Sequence, residues 1–465
     1  MGLLLILITD VFGVFCSYQF SYYIRCYVFP KYLALPEPLP LAVFNPVWLP
    51  VIFILFFWYE NLYTKRLPLW EEIKVTWKAA MLATISLLAI VSLGKMTATV
   101  SRTILVLTFL NGIWIFPLLR YYAKRFFFAA GLNKRKVLIL GAGTTGRVLL
   151  ESYLGEKGMG YEVIGFLDDG PGKAGSSIRG VRILGKISDI ERYLTPKLEV
   201  IVAIPSMNAK RLIGLVNGLQ KRVHRVSFIP DLLGIPFFES DMDFHFESQL
   251  LILNVRNNLK NKLNMLVKRV FDVAVSLPLM VFLFPFIAVI AFIIKMDSRG
   301  PAFWVEERIG RDGNKFRCIK FRSMYTNAAD ILRKTLAENK KLALEWKTYF
   351  KLKNDPRVTP VGRFIRKYSL DELPQIFNIV GGDMSLVGPR PYLPREKKDI
   401  GNYFGTITEV NPGLSGLWQV SGRNKKSFSE RLVLDAWYIQ NWSLWLDIVI
   451  LIKTVKVVLK REGAY

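Results

Sequence analysis

Cysteine, histidine and acid are what this sequence is short of. Its 465 residues include three cysteines, Cys16, Cys26 and Cys318, and two histidines, His224 and His245. No CxxC pair occurs, which argues against a disulfide framework or a zinc ribbon. Two distant histidines are too few for a histidine-based metal site. Acids number 37 against 63 Lys and Arg, a net charge of +26. Neither a Walker A loop nor a set of kinase motifs is present, so ATP is not the expected substrate. Chemistry is therefore expected from carboxylates, Lys and Arg, with a hard cation as the metal they suit.

Apolar residues are plentiful, at 52% of the chain. A basic surface on so apolar a chain fits a membrane protein facing anionic headgroups. Nucleic acid would explain the charge but not the apolar segments, so no nucleic-acid partner is expected. Four apolar windows fall at about 2–24, 41–58, 79–94 and 103–119, each near the roughly 20 residues that span a bilayer. They predict a four-helix transmembrane region over 1–125. The first window lacks a basic leader and a small-residue cleavage site, so it reads as a retained helix. Lys65, Arg66, Lys74 and Lys78 follow the second window, and Arg120, Lys124, Arg125, Lys134, Arg135 and Lys136 follow the fourth. That excess places both ends of the bundle on the cytoplasmic side. Few polar residues lie inside the windows, and the bundle reads as an anchor or dimerisation element.

The stretch "KRKVLILGAGTTGRVLLESYL" runs an apolar strand into Gly141, Gly143 and Gly146 and then into a helical pattern. A second strand ends at Asp168, about 20 residues further on, as a dinucleotide fingerprint requires. A Rossmann-like α/β domain over 134–240 is expected. Whether it holds NAD, another nucleotide or nothing stays open, since the glycines also serve the turn alone. A membrane-anchored NAD-dependent sugar-nucleotide dehydratase or epimerase is the rival reading. Its Tyr-x-x-x-Lys spacing occurs at Tyr153/Lys157 and Tyr349/Lys353, both poorly placed for that chemistry.

After a linker over 241–265, residues 273–294 carry no charge. The run is long enough to cross a membrane. Pro278 and Pro285 each remove a helix hydrogen bond and favour a break. Residues from Lys260 onward hold 35 Lys and Arg against 19 acids, which favours keeping them on the cytoplasmic side. A re-entrant helix over about 270–295 is the alternative to a fifth span. Lys268 and Arg269 would then sit at headgroup level, as anchor or as phosphate ligand.

Four motifs follow, the second of them running unbroken from Asn354 to Gln375 and quoted below in two parts. "ERIGRDGNKFRCIKFRSM" leads to Lys320 and Arg322, and "NDPRVTPVGRFIRK" carries Arg357, Arg363 and Arg366. "YSLDELPQ" sets Asp371 beside Glu372, "GGDMSLVGPRP" presents Arg390, and "NPGLSGLWQVSGRN" holds Trp418, Gln419 and Arg423. Ser369 and Glu372 match a capping box, while Asp371 as N-cap would put Pro374 in the tolerant first turn. Either register places two acids at a helix N-terminus, which on its own needs no function. The arginines change that reading. A carboxylate kept ionised by cations can attack phosphorus, and its neighbour can hold Mg²⁺.

From about 266 to 465 the chain resembles the bacterial sugar transferases, the monotopic phosphoglycosyl transferase superfamily. The strings "KRVFD", "SLDELPQIFN", "GDMSLVGPRP" and "PGLSGLWQVSGR" carry the resemblance. The order of four spans, Rossmann-like domain and mostly α membrane-associated domain looks like the large form that acts on undecaprenyl phosphate with galactose or glucose donors. The resemblance implies Asp371 as nucleophile toward a UDP-sugar and Glu372 as ligand of Mg²⁺ or Mn²⁺. Arg390, Arg357, Arg363, Arg366, Lys320 and Arg322 would hold substrate phosphates. Lys268 and Arg269 would receive the lipid phosphate, and Pro285 with Pro278 would bend a re-entrant helix. It also implies a homodimer at the bacterial inner membrane.

Overall fold

A computed structural model describes residues 2–32, 48–96, 100–231, 241–245, 250–254, 258–349, 352, 355–422 and 426–460. The chain forms two compact units, Met1–Leu233 and Gly234–Tyr465.

In the first unit, apolar runs become helices because a helix satisfies its own backbone groups without water. They are α1 (Gly2–Tyr23), α2 (Trp48–Tyr59), α3 (Leu69–Leu93) and α4 (Arg102–Ala129). Helix α1 extends through irregular turns to Lys31, and α1, α3 and α4 are long and apolar enough to cross a membrane. The described part of the second span, α2, is shorter; residues 41–47 of that window lie outside the described residues. Ala79, Ala80 and Ala83 give α3 a smooth buried face against Phe53, Phe57 and Phe116. Ser17 donates across the bundle to the Thr108 carbonyl at 2.6 Å. Phe12, Leu55, Trp58 and Trp114 face outward, as lipid contact permits.

The spans differ from expectation in one respect. Helix α3 begins before Glu72, and α4 continues past Arg120 and Lys124, so charges lie inside the helices. They persist there because they pair. Arg120 reaches Asp10 at 2.7 Å and Glu72 at 2.9 Å, and Lys124 reaches Glu72 at 2.6 Å.

The same unit holds a six-stranded sheet of order β3-β4-β2-β1-β5-β6. Its strands are β1 (Arg135–Leu140), β2 (Tyr161–Leu167), β3 (Ser177–Ile178), β4 (Val181–Gly185), β5 (Glu199–Val202) and β6 (Arg225–Phe228). All pair in parallel except edge strand β3. Helices α5 (Thr144–Gly155) and α6 (Ala209–Gln220) link strands, and the sheet has an apolar cluster on each face. Strands buried on both faces read as unbroken apolar runs, which is why "VLIL" and "VIV" were legible.

In the second unit, the expected linker over 241–265 contains an antiparallel ribbon, β7 (Asp241–His245) with β8 (Leu250–Asn254). Helix α7 (Lys262–Asp297) follows and stays helical through Pro278 and Pro285, so neither proline ends it. Most of its apolar face is exposed, with Phe282, Phe284, Phe286 and Phe292 outward. A buried strip at Ile287 and Ile294 packs on Phe321, Ile365 and Ile376. The hairpin β9 (Phe303–Ile309)/β10 (Lys315–Phe321) comes next, then α8 (Ala328–Glu338), α9 (Lys340–Tyr349), α10 (Pro360–Lys367) and α11 (Gln375–Gly381). Strands β11 (Ser385–Val387) and β12 (Gly413–Ser415) pair in parallel, separated by the short helices α12 (Lys397–Ile400) and α13 (Phe404–Ile407). The described chain closes with α14 (Leu417–Val420), α15 (Phe428–Gln440) and α16 (Leu444–Lys460).

Candidate active site

Helix α10 starts where Thr359 accepts the Gly362 amide at 2.9 Å, with Pro360 at the first helical position. Gly362 abuts the Ser323 carbonyl so closely that a Cβ would lie 2.0 Å from it. After Tyr368 the chain reverses at Ser369, which adopts φ +55°, a left-handed conformation uncommon outside glycine. A single 3₁₀ turn, Leu370–Glu372, carries the acid pair, and Pro374 precedes α11. Neither capping register forms. Ser369 makes no side-chain cap to the turn, and Asp371 does not start the helix. The left-handed reversal takes up the residues that a cap would need. Leu370 and Leu373 anchor the turn in the cluster that contains Ile287 and Ile294 of α7.

Asp371 and Glu372 are both half-buried. Burial raises the Asp371 carboxyl to about 6, the Glu372 charge adds to this, and Lys320 and Arg366 oppose it. The expectation of a carboxylate held firmly ionised is thus corrected: desolvation outweighs the cations. Lys320 Nζ donates to Glu372 Oε1 at 3.1 Å. Asn378 sets this geometry. Its Oδ1 accepts the Ile319 amide at 3.0 Å and its Nδ2 donates to the Arg317 carbonyl at 2.7 Å. Strand β10 is thereby clamped to α11, one residue from Lys320. Arg366 donates to Ser323 Oγ at 2.8 Å.

Not every predicted phosphate ligand joins these groups. Arg322 is buried and donates to the carbonyls of Arg299 (2.9 Å) and Ser298 (2.7 Å), closing the end of α7. Arg357 grips Asp355 through Nε at 2.8 Å and Nη2 at 2.6 Å, and lies 4.8 Å from the Trp346 ring. Arg363 is exposed. Lys268 is buried, with its ammonium 2.7 Å from Asp447 and 2.9 Å from the Val387 carbonyl. Arg269 caps α11 through the carbonyls of Ile379 (2.6 Å) and Val380 (2.8 Å). Asp272 accepts the Leu386 amide at 3.0 Å. The motif "KRVFD" is therefore a clasp that fastens α7 to its domain.

Arg390 follows a crossing of two glycines. A Cβ on Gly413 would lie 2.0 Å from the Gly388 amide. The turn is held by Asp435, which accepts from the Arg390 amide at 3.1 Å and the Tyr392 hydroxyl at 2.8 Å. Burial raises the Asp435 carboxyl to about 7 against those bonds. The Arg390 and Arg431 guanidiniums lie 5.8 and 5.0 Å from the Trp418 ring centre. Arg423 lies outside the described residues. Asn378, Asp435 and Arg431 were missed in the sequence. A signal existed for Asp435, a lone acid in the apolar stripe of Leu432, Ala436 and Ile439.

Among the described residues, no three His, Cys, Asp or Glu side chains gather into a metal site. Mg²⁺ commonly takes one or two carboxylates and completes its shell with substrate phosphates and water. The 371/372 pair fits that minimal role.

The glycine fingerprint forms a tight turn, one of the two readings that the sequence left open. Gly141 has φ +104°, and a Cβ on Gly146 would lie 2.0 Å from the Gly141 carbonyl, so both glycines serve the turn. Gly143 is open. Asp168, placed for a ribose, bonds the Ala142 amide at 2.6 Å, the Gly170 amide at 2.7 Å and Lys173 at 3.0 Å. Those amides and Lys173 hold its carboxyl below its ordinary range despite burial. Tyr153 stacks on Tyr161 at 4.6 Å, which takes it out of any Tyr/Lys pair.

Comparison with known proteins bears on both units. The bacterial sugar transferase family matches residues 263–461, and the PglD N-terminal domain family matches 136–213. A UDP-galactose-lipid carrier transferase of Erwinia amylovora is 38% identical over 92% of this chain and 89% of its own length. An undecaprenyl-phosphate galactose phosphotransferase of Salmonella typhimurium is 37% identical over 90% of this chain and 87% of its own. A UDP-glucose:undecaprenyl-phosphate glucose-1-phosphate transferase of Klebsiella pneumoniae is 31% identical over 75% of this chain and 73% of its own.

Proposed function

The chain belongs to the bacterial sugar transferase family, and from that premise we propose that it moves a hexose-1-phosphate from a UDP-sugar to undecaprenyl phosphate, releasing UMP. The carrying observation is the acid turn. Asp371 is half-buried beside Glu372, within the fields of Lys320 and Arg366, and its turn is anchored on an apolar helix. At neutral pH most Asp371 carboxyls are ionised, yet they are less solvated and more basic than a free aspartate.

An Asp371 oxygen attacks the β-phosphorus of the UDP-sugar. The bond from that phosphorus to the bridging oxygen breaks, and UMP leaves with the electron pair. The hexose phosphate is then an acyl phosphate on Asp371. A phosphate oxygen of undecaprenyl phosphate attacks the same phosphorus, the bond to Asp371 breaks, and the carboxylate returns. Arg366 and Lys320 offset the charge of the approaching diphosphate, and Arg390 takes a phosphate at the Gly-Pro-Arg-Pro turn. Mg²⁺, held by Glu372 together with substrate oxygens, would supply charge neutralisation at the diphosphate.

Re-entry of α7 belongs to the same reading. Lys268 and Asp272 near its start bond Val387, Asp447 and Leu386, while Arg322 bonds the carbonyls at its end. Both ends are thus held by one unit rich in polar groups. A membrane crossing would separate them across the bilayer. We place the catalytic unit on the cytoplasmic face of the inner membrane, in a homodimer, at the first lipid-linked step of surface polysaccharide synthesis. The rival NAD-dependent reading is disfavoured by Asp168, whose carboxylate is already spent on the loop. The test is a panel of UDP-sugars, galactose and glucose first, with purified protein. UMP release without lipid, lost in Asp371→Asn, is expected. Release only when lipid is present would mean direct displacement.

A further inference from the structure

A cavity of about 330 Å³ opens in the first unit between α3, α4 and the turn after α5. Its mouth carries Arg125 and Lys157, both exposed. Lys124 and Arg120 line its middle and are balanced there by Glu72 and, behind, by Asp10. Thr76 lies deeper on α3, one turn below Glu72, about 6 Å further from the α/β domain. Thr76 lines the cavity, and its hydroxyl is fully buried with no hydrogen-bond partner. Ile73 and Pro117 supply apolar wall.

A buried hydroxyl without a partner costs free energy unless a ligand or water completes it. With Glu156 also lining the cavity beside Lys157, the Arg125 and Lys157 pair leaves the mouth one net positive charge, which suits an anion. Basic pockets between membrane helices on the cytoplasmic side suit lipid phosphates. The order along the cavity is cationic mouth, hydroxyl below, apolar wall. That is the order of groups in a glycerophospholipid, which carries ester oxygens below its phosphate. A prenyl phosphate has no oxygen at the depth of Thr76. We propose that this cavity binds one anionic glycerophospholipid, with its phosphodiester at Arg125 and Lys157 and an ester oxygen accepting from Thr76. The cavity belongs to the first unit and the acid turn to the second, and lipid binding here does not depend on the transfer reaction.

The test uses the full chain in a neutral detergent and native mass spectrometry. Phosphatidylglycerol, phosphatidylcholine, undecaprenyl phosphate and inorganic phosphate are titrated in turn. One phosphatidylglycerol per chain is expected to bind saturably, about tenfold tighter than phosphatidylcholine. The double variant Arg125→Gln/Lys157→Gln should lose that preference. Thr76→Val, which spares all charges, should weaken retention several-fold. UMP release with detergent-dispersed acceptor should be unchanged in each variant. Retention of phosphatidylglycerol indifferent to all three substitutions would overturn the proposal. So would undecaprenyl phosphate binding tighter than phosphatidylglycerol in an Arg125- and Lys157-dependent way, or displacement by millimolar inorganic phosphate.

Discussion

Replacing Asp371 by Asn should abolish turnover and stabilise the protein at once. The free carboxyl titrates at 3.8 and the folded one at about 6. Two units of difference correspond to about 3 kcal/mol, or roughly 2 kcal/mol after allowing for partial solvent screening. The sign follows from proton counting. Between these values the folded state keeps a proton that the unfolded state has lost, so stability falls as pH rises through the window, and the full cost is present above pH 6. Asparagine has the same shape and cannot ionise. Thermal shift at pH 7.5 should therefore show the variant melting several degrees higher, at roughly 2–4 °C per kcal/mol for a unit of this size. At pH 4 the gain should vanish. UMP release should fall by roughly three orders of magnitude or more. A lower melting point at pH 7.5, or the same shift at both pH values, would refute the idea that burial of this charge sets its chemistry.

Other outcomes follow from the same geometry. Since Asp371 must be ionised to attack, single-turnover UMP release should drop about tenfold from pH 7 to pH 5, following a group near 6. Lys320→Met removes a charge that lowers Asp371, so its pH profile should move to higher pH and kcat at pH 7 should fall. Asp435→Leu should raise KM for the UDP-sugar more than it lowers kcat, because it frees the turn that presents Arg390; Asp435→Asn, which keeps an acceptor, should restore most of the loss. Lys268→Met should destabilise by roughly 3–5 kcal/mol by stranding the Asp447 charge, and Lys268→Met/Asp447→Leu should recover much of it, both read by denaturation midpoint.

Much of this protein was legible from local pattern. Apolar runs announce membrane helices because lipid leaves the backbone no other partner. The strand-glycine-helix stretch at 136–150 announces its fold because few backbones can make that turn. The acid pair and its arginines stood out because adjacent charges in such company need a reason. Tertiary structure decided which charges are free. Lys268, Arg269 and Arg322 read like Arg390 and Lys320 in one dimension, yet the first three are consumed in fastening α7. Asp168 likewise closes the glycine loop instead of waiting for a ribose. The third and fourth windows of hydropathy, 79–94 and 103–119, left out Glu72, Arg120 and Lys124, while the helices included them, because those charges neutralise one another, with Asp10, across three helices. A sequence states which groups can ionise. Only the fold sets their distances, and distance with burial determines whether a charge is structural or left for a substrate.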